Sequence, residues 1–241
     1  MTERPLHQKT IGILGGSSNV ATAEYYRFLN DGVNARLGRW EIAETLIAGM
    51  NFGNIEHYLR TDNWTDLSAY MKAKLDGLIA GGADMILCVS NTLHMPLEPL
   101  MKDASVPLIH IADPTAAAIK GEGLSRVALF GTRPVKQLDN HKDRYRDRFG
   151  IDAGSPTETE QEEIDRIIFD ELVKDRISDR SRRRYLEIAD RMRREEGAEG
   201  LILGCTEIFL LIDQPDMPDF PMFNTARLHC DAAVSMALGR D

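Results

Sequence analysis

The chain has 241 residues, 43% of them apolar, and a formal net charge of -9. That length suits one large α/β domain or two small ones, and that apolar share excludes a disordered chain. The acidic balance argues against a nucleic-acid partner, which needs a basic face.

The three cysteines, Cys88, Cys205 and Cys230, are spaced for neither a disulfide framework nor a zinc site, so no metal is expected and a reducing cytoplasm is the simplest compartment. The opening MTERPLHQKT is polar and charged and carries no signal-peptide pattern. No apolar run approaches the roughly 18 residues of a membrane span.

Thr10-Ile11-Gly12-Ile13-Leu14 predicts a short buried strand, Gly15-Gly16-Ser17-Ser18 a tight turn, and Ala21 to Leu37 a helix. Backbone N–H groups at such a turn suit an anion, although the glycine spacing is not the full dinucleotide fingerprint; the plain alternative is a turn without a ligand. Thr45 to Met50 predicts a second strand and Asp66 to Leu78 a helix, with Leu67, Tyr70, Met71, Leu75 and Leu78 on one stripe. A strand from Met85 to Val89 then reaches Ser90-Asn91-Thr92-Leu93-His94. Pro96 and Pro99 mark the next helix start, Val106 to Ile111 reads as another strand, and Asp113-Pro114 as another helix start.

The second half repeats this order. Ser125 to Thr132 lies over Lys9 to Gly16, and Leu201-Ile202-Leu203-Gly204-Cys205 lies over the stretch ending in Ser90, at shifts of about 116 and about 115 residues. The same strand is therefore made twice, ending once in Ser90 and once in Cys205. Helices are expected from Glu158 to Lys174 and from about Ser181 to Glu195. The arginines of the second are interleaved with Glu187, Asp190, Glu195 and Glu196, which favours a solvated, ion-paired helix over a phosphate-binding patch. After a loop through Pro215, Pro218 and Pro221, Met222 to Thr225 reads as the last strand and Leu228 to Leu238 as the closing helix.

Strands alternating with helices imply mainly parallel sheets flanked by helices, and the repeat implies two similar lobes related by pseudo-two-fold duplication. The expected boundaries are 1–114 plus 222–241 for the N-terminal lobe and 115–221 for the C-terminal lobe. Ligands of such sheets bind at the carboxyl ends of strands. Ser17, Ser90, Asn91, Thr132, Cys205 and Thr206 all fall at such ends, so the expected site is a cleft between the lobes. A thiol at a helix N-terminus is expected to ionise below its reference pKa of about 8.5, which would make Cys205 a base or nucleophile. Cys88 reads as core.

These residues resemble the aspartate/glutamate racemase family, the cofactor-independent amino-acid racemases. The resemblance covers nearly the whole chain and rests on Lys9 to Gly16 with Tyr25-Tyr26, Asn91-Thr92-Leu93-His94, Gly131-Thr132, Gly204-Cys205-Thr206-Glu207, and Phe223-Asn224-Thr225 with His229. It implies two Rossmann-like lobes, a homodimer, no cofactor, and two-base proton transfer at the α-carbon of an aspartate- or glutamate-like amino acid. Usually both bases are cysteines; here Cys205 is one, and Ser90 stands in the place of the other. A hydroxyl is a far poorer base than a thiolate, so the two directions are expected to be unequally served. By position, Asn91, Thr92, Thr132 and Thr206 would hold the α-carboxylate and amino group, with Ser17 adding a contact.

Past Gly131-Thr132, Pro134-Val135 replaces a threonine common in the family, and Asn224 replaces a common aspartate. Arg60, Arg133 and Lys174 are basic candidates for an acidic side chain, each with a surface charge as the plain alternative. His94, Glu207 and His229 would support proton transfer, or else bond the backbone and cap helices. Two further readings stay open. One is a lyase or isomerase of the same superfamily, a decarboxylase or unsaturated-diacid isomerase using one thiol. The other is a non-catalytic binder of a small carboxylate.

Overall fold

The computed structural model describes residues 6–133 and 142–239. The chain divides into two compact units. The first takes the chain up to Val89, Pro96–His110 and the chain from His229; the second takes Ser90–Met95 and Ile111–Leu228.

In the first unit, β1 (Ile11–Gly15) lies between β2 (Thr45–Gly49) and β3 (Met85–Cys88), all parallel. Every residue of β1 and β3 is buried, as continuous apolar runs in a parallel sheet are expected to be. The helices are α1 (Asn19–Leu37), α2 (Phe52–Arg60) and α3 (Trp64–Ala80). Each opens on an N-cap side chain, Ser18, Asn51 and Asn63, that accepts a free backbone N–H of the first turn. Of the stripe expected on α3, Leu67, Met71, Leu75 and Leu78 are buried, while Tyr70 is half-buried and its hydroxyl accepts the Asn51 N–H at 2.7 Å. Next to β3, the segment expected as a strand from Val106 to Ile111 makes only one bridge, Ile86 to Leu108. Pro107 lends its carbonyl to Ile86 but has no N–H with which to extend a ladder. Both tryptophans, Trp40 and Trp64, belong to this unit.

The second unit holds β4 (Arg126–Phe130), β5 (Asp152–Gly154), β6 (Leu201–Leu203) and β7 (Met222–Asn224) in the parallel order β5-β4-β6-β7. Its helices are α5 (Ala112–Gly121), α6 (Glu158–Asp170), α7 (Asp179–Glu195) and α8 (Ile208–Leu211), with α4 (His94–Leu100) before them and α9 (Thr225–Ala237) closing the chain. Strand alternation sorts the core into two faces. Ala128, Phe130, Leu201 and Leu203 pack with Ile164, Ile167, Tyr185 and Ile188 of α6 and α7. Val127, Leu129, Ile202 and Phe223 pack with Ala112, Ala116 and Ile119 of α5.

The duplication is visible in the registers. Gly12 pairs with Ile86 in one sheet and Ala128 with Leu201 in the other, which keeps the shifts of about 116 and about 115 residues seen in the sequence. The expected boundaries move, however. β7 pairs with β6 in the second sheet, so residue 222 does not return the chain to the first unit; the return falls after Leu228. Residues 90–95 also group with the second unit, tied there by side-chain bonds to Thr225, Thr132 and Ile111. Among the described residues, no helix is long and apolar enough to cross a membrane, and no group of three or more His, Cys, Asp or Glu is placed to hold a metal ion.

Candidate active site

The site is built where β6 ends. Gly204 donates to the Phe130 carbonyl at 2.6 Å, and a Cβ placed there would lie 2.6 Å from that oxygen and from Leu129 Cδ1. Only glycine lets β6 run this close to β4 and release the next residue, Cys205, beyond the sheet. Cys205 is partly exposed between buried neighbours. Its thiol donates to Glu207 Oε2 at 2.9 Å, and the Thr206 hydroxyl donates to the same oxygen at 3.1 Å. Glu207 itself is 1% exposed.

This arrangement reverses the expected electrostatics. Burial, and then the charge of the Glu207 carboxylate with its hydrogen bond, push the Cys205 thiol well above its ordinary value. The following helix, α8, has four residues, too few for its dipole to win. Glu207 makes no side-chain cap to α8; its carboxylate turns back to Cys205 and Thr206. Cys205 therefore rests as a thiol with a proton acceptor already in contact.

Ser90-Asn91-Thr92 is drawn to the same place by a hydrogen-bonded bridge. Asn91 Nδ2 donates to Thr225 Oγ1 at 3.3 Å, and that hydroxyl donates to the Leu203 carbonyl at 2.8 Å, two residues before Cys205. Thr225 is fully buried. In the sequence Thr225 stands out only as part of a terminal motif and as the last residue of the expected strand; it directly follows β7 and opens α9. Asn91 Oδ1 is buried and has no partner. A buried acceptor left unpaired costs about 1–3 kcal/mol, so this oxygen is a ready receptor for an ammonium or N–H donor. Beside it, Thr92 Oγ1 and Thr132 Oγ1 stand 3.3 Å apart, a pair of hydroxyls that suits the two oxygens of a carboxylate. Ser90 is partly exposed and its hydroxyl accepts the Leu93 N–H at 3.3 Å.

The remaining candidates are placed differently. His94 is 1% exposed, with Nδ1 2.6 Å from the Ser90 carbonyl and Nε2 accepting the Ile111 N–H at 3.3 Å. That pairing makes Nδ1 the protonated nitrogen and the ring a brace for the Ser90 turn. His229 is fully buried in the first unit, between Tyr25 Oη at Nδ1 (3.0 Å) and the Ile109 carbonyl at Nε2 (2.8 Å), and holds the core there. Ser17, also in the first unit, donates to the Val89 carbonyl at 2.7 Å, just before Ser90. In the same turn the Gly16 N–H is taken by Thr22 Oγ1, and a Cβ on Gly16, at φ +94, would run into the Met50 backbone. Arg60 is a surface charge paired with Glu56, and Lys174 pairs with Asp170. Arg133 is held over α6 by Glu158, Glu162 and Asp165. Pro134-Val135 lies outside the described residues. Cys88 is fully buried on β3, as expected of core.

The model of the Asp/Glu/hydantoin racemases matches residues 13–233. The chain belongs to that family. Among solved structures, a Yersinia pestis protein assigned to the Asp/Glu racemases is 33% identical, with a TM-score of 0.86 over 95% of this chain and 99% of that one. An aspartate racemase homologue from Pyrococcus horikoshii is 28% identical, with a TM-score of 0.82 over the same shares. The Picrophilus torridus aspartate racemase, 20% identical over 96% of this chain and 94% of that one, shares the fold at a TM-score of 0.77. In this member of the Asp/Glu/hydantoin racemase family, Cys205 stands past the end of β6 and Ser90 past the end of β3, the other copy of the strand.

Proposed function

We propose that the protein is an amino-acid racemase that works without a cofactor on aspartate- or glutamate-like substrates, with Cys205 as the thiol base and Ser90 in the place of its partner. The observation that carries this reading is the Cys205 thiol in contact with a buried carboxylate. Transfer of the thiol proton to Glu207 leaves a thiolate, which takes the α-proton from one face of the substrate. The carbanion then receives a proton on the other face from the Ser90 hydroxyl; solvent reprotonates Ser90 and takes up the proton held by Glu207, which restores the resting site. Asn91 Oδ1 supports the ammonium group, and the Thr92 and Thr132 hydroxyls support the α-carboxylate. Running the reaction backwards asks Ser90 to act as a base, so the two enantiomers exchange at different rates, while the equilibrium between free enantiomers stays even. A homodimer is part of the proposal and is measured by sedimentation.

The test is proton NMR in deuterated buffer, without added cofactor, on the D and L forms of aspartate and glutamate. The expected result is loss of the α-proton signal that disappears in Cys205→Ala, faster for one enantiomer. Equal rates from both faces would remove the asymmetric scheme. The protonated thiol also favours a second reading, a lyase in which Cys205 protonates one face after decarboxylation. Carbon dioxide release from a malonate-type substrate, with no α-proton exchange from any of the four amino acids, would select it.

A further inference from the structure

The α6 side chain Gln161 is fully buried, yet its Oε1 has no hydrogen-bond partner. An apolar residue of similar size would avoid that cost, so its other end must matter. Nε2 donates to the Gly131 carbonyl at 2.7 Å and to Asp165 Oδ1 at 3.2 Å. The amide cannot be turned over, because Oε1 would then face two acceptors. One helical turn on, the same Asp165 Oδ1 accepts the Arg133 backbone N–H at 2.8 Å. The carbonyl before Thr132 and the N–H after it are thus both held by side chains of one helix, and these two side chains are bonded to each other. Residues at i and i+4 share a helix face, which is why both reach the same turn.

The platform is itself fixed. Thr157 and Glu160 form a capping box at the start of α6, and Glu160 receives two bonds of 2.6 Å from Arg191 of α7.

We infer that Gln161 and Asp165 are positioning residues that set the Thr132 hydroxyl against Thr92 to receive a ligand carboxylate. The inference rests on the reading of the Thr92–Thr132 pair as the carboxylate cradle of the proposed racemase. Neither residue touches the reacting atoms. Their loss therefore weakens binding and leaves the proton-transfer steps of bound substrate nearly intact.

The experiment uses the full chain with Gln161→Met, Asp165→Ala and Asp165→Asn. Two readouts are taken: the threonine methyl NMR signals, and KM with kcat for α-proton exchange from aspartate and glutamate. Gln161→Met and Asp165→Ala are expected to shift the Thr132 methyl signal, leave that of Thr115, buried on α5, in place, raise KM about tenfold and hold kcat within about twofold. Asp165→Asn keeps the acceptor oxygen and is expected to recover most of what Asp165→Ala loses. Should Gln161→Met fail to fold, Asp165→Ala carries the test, since its side chain is partly exposed. An unmoved Thr132 methyl, or a fall in kcat with KM unchanged, overturns the inference. If the unaltered protein exchanges no α-proton, the racemase reading fails, and the methyl signals still decide the clamp.

Discussion

Glu207 acts on Cys205 in two opposed ways. Its charge makes the thiolate harder to form, and its oxygen is the place to which the thiol proton can go. Glu207→Gln separates these effects. Removing the charge is expected to lower the pH at which Cys205 ionises, read from the pH dependence of iodoacetamide alkylation; Cys88 and Cys230 are fully buried and stay silent. The same change removes the proton acceptor, so α-proton exchange is expected to fall by about 10²–10⁴-fold. A thiol curve that stays in place would mean that burial alone sets the ionisation. At the other strand end, Ser90→Cys replaces a hydroxyl with a group of reference pKa about 8.5. The expected outcome is exchange rates for the two enantiomers that draw together, measured by the same deuterium loss.

Between elements, contacts at Gly204 and across α6 and α7 decide where the site residues stand. Gly204→Ala puts a methyl group into the Phe130 carbonyl and Leu129; a cost of about 1–3 kcal/mol in chemical denaturation is expected, with loss of exchange because Cys205 is carried off its place. Glu160 sits 6% exposed. Its burial opposes ionisation, but the bonds from Arg191 and Thr157 outweigh that and hold its carboxyl below the usual range. A depressed folded pKa gives stability that is present above the unfolded value of about 4.3 and lost as pH falls through the folded one. Glu160→Gln is expected to cost about 2 kcal/mol at neutral pH and to flatten the acid limb of the stability profile, followed by thermal unfolding from pH 7 to 3. The arginine-rich α7 was legible as an ion-paired helix, yet its strongest pairs cross to other elements, as Arg184 to Glu163 and Arg191 to Glu160. Spacing within one helix could only suggest the i,i+4 kind. In the same way α2 carries Gly53 and Asn54 in its first turn, two residues of low helix propensity, and β5 is three residues long. The α8 helix stops after four residues although its sequence is apolar.

Across the whole molecule, two duplicated parallel sheets were legible because apolar runs ending in small polar residues recur at one shift. The site was legible only in part. Cys205, Ser90, Asn91, Thr92 and Thr132 stand at strand ends, where position alone is informative. Gln161, Asp165 and Thr225 act through contacts that join distant stretches, and a glutamine on a charged helix reads as surface. The direction of the Cys205 shift was misread for the same reason: the turn-back of Glu207 is tertiary geometry. Cys205, Tyr145 and Tyr185 are all pushed up, each mainly by burial. In the unfolded chain such groups ionise from about pH 8.5 for the thiol and about pH 10 for the phenols. Above those values the folded state holds more protons than the unfolded state, so stability falls as pH rises. The melting temperature is expected to drop steadily above about pH 8.5, and Cys205→Ala to reduce the earlier part of that drop. A melting temperature flat to pH 11 would contradict this account.

The placement of Trp40 and Trp64 decides what the protein's own light can report. Both indoles lie in the first unit, whereas Ser90, Asn91, Thr92, Thr132 and Cys205 lie in the second. Trp40 is 91% exposed, a solvated indole. The two native emitters therefore report on the first unit, and a carboxylate held by second-unit side chains has no indole in its own unit to report it. An indole built into the second unit, at Phe209 for example, would give that unit an optical signal of its own.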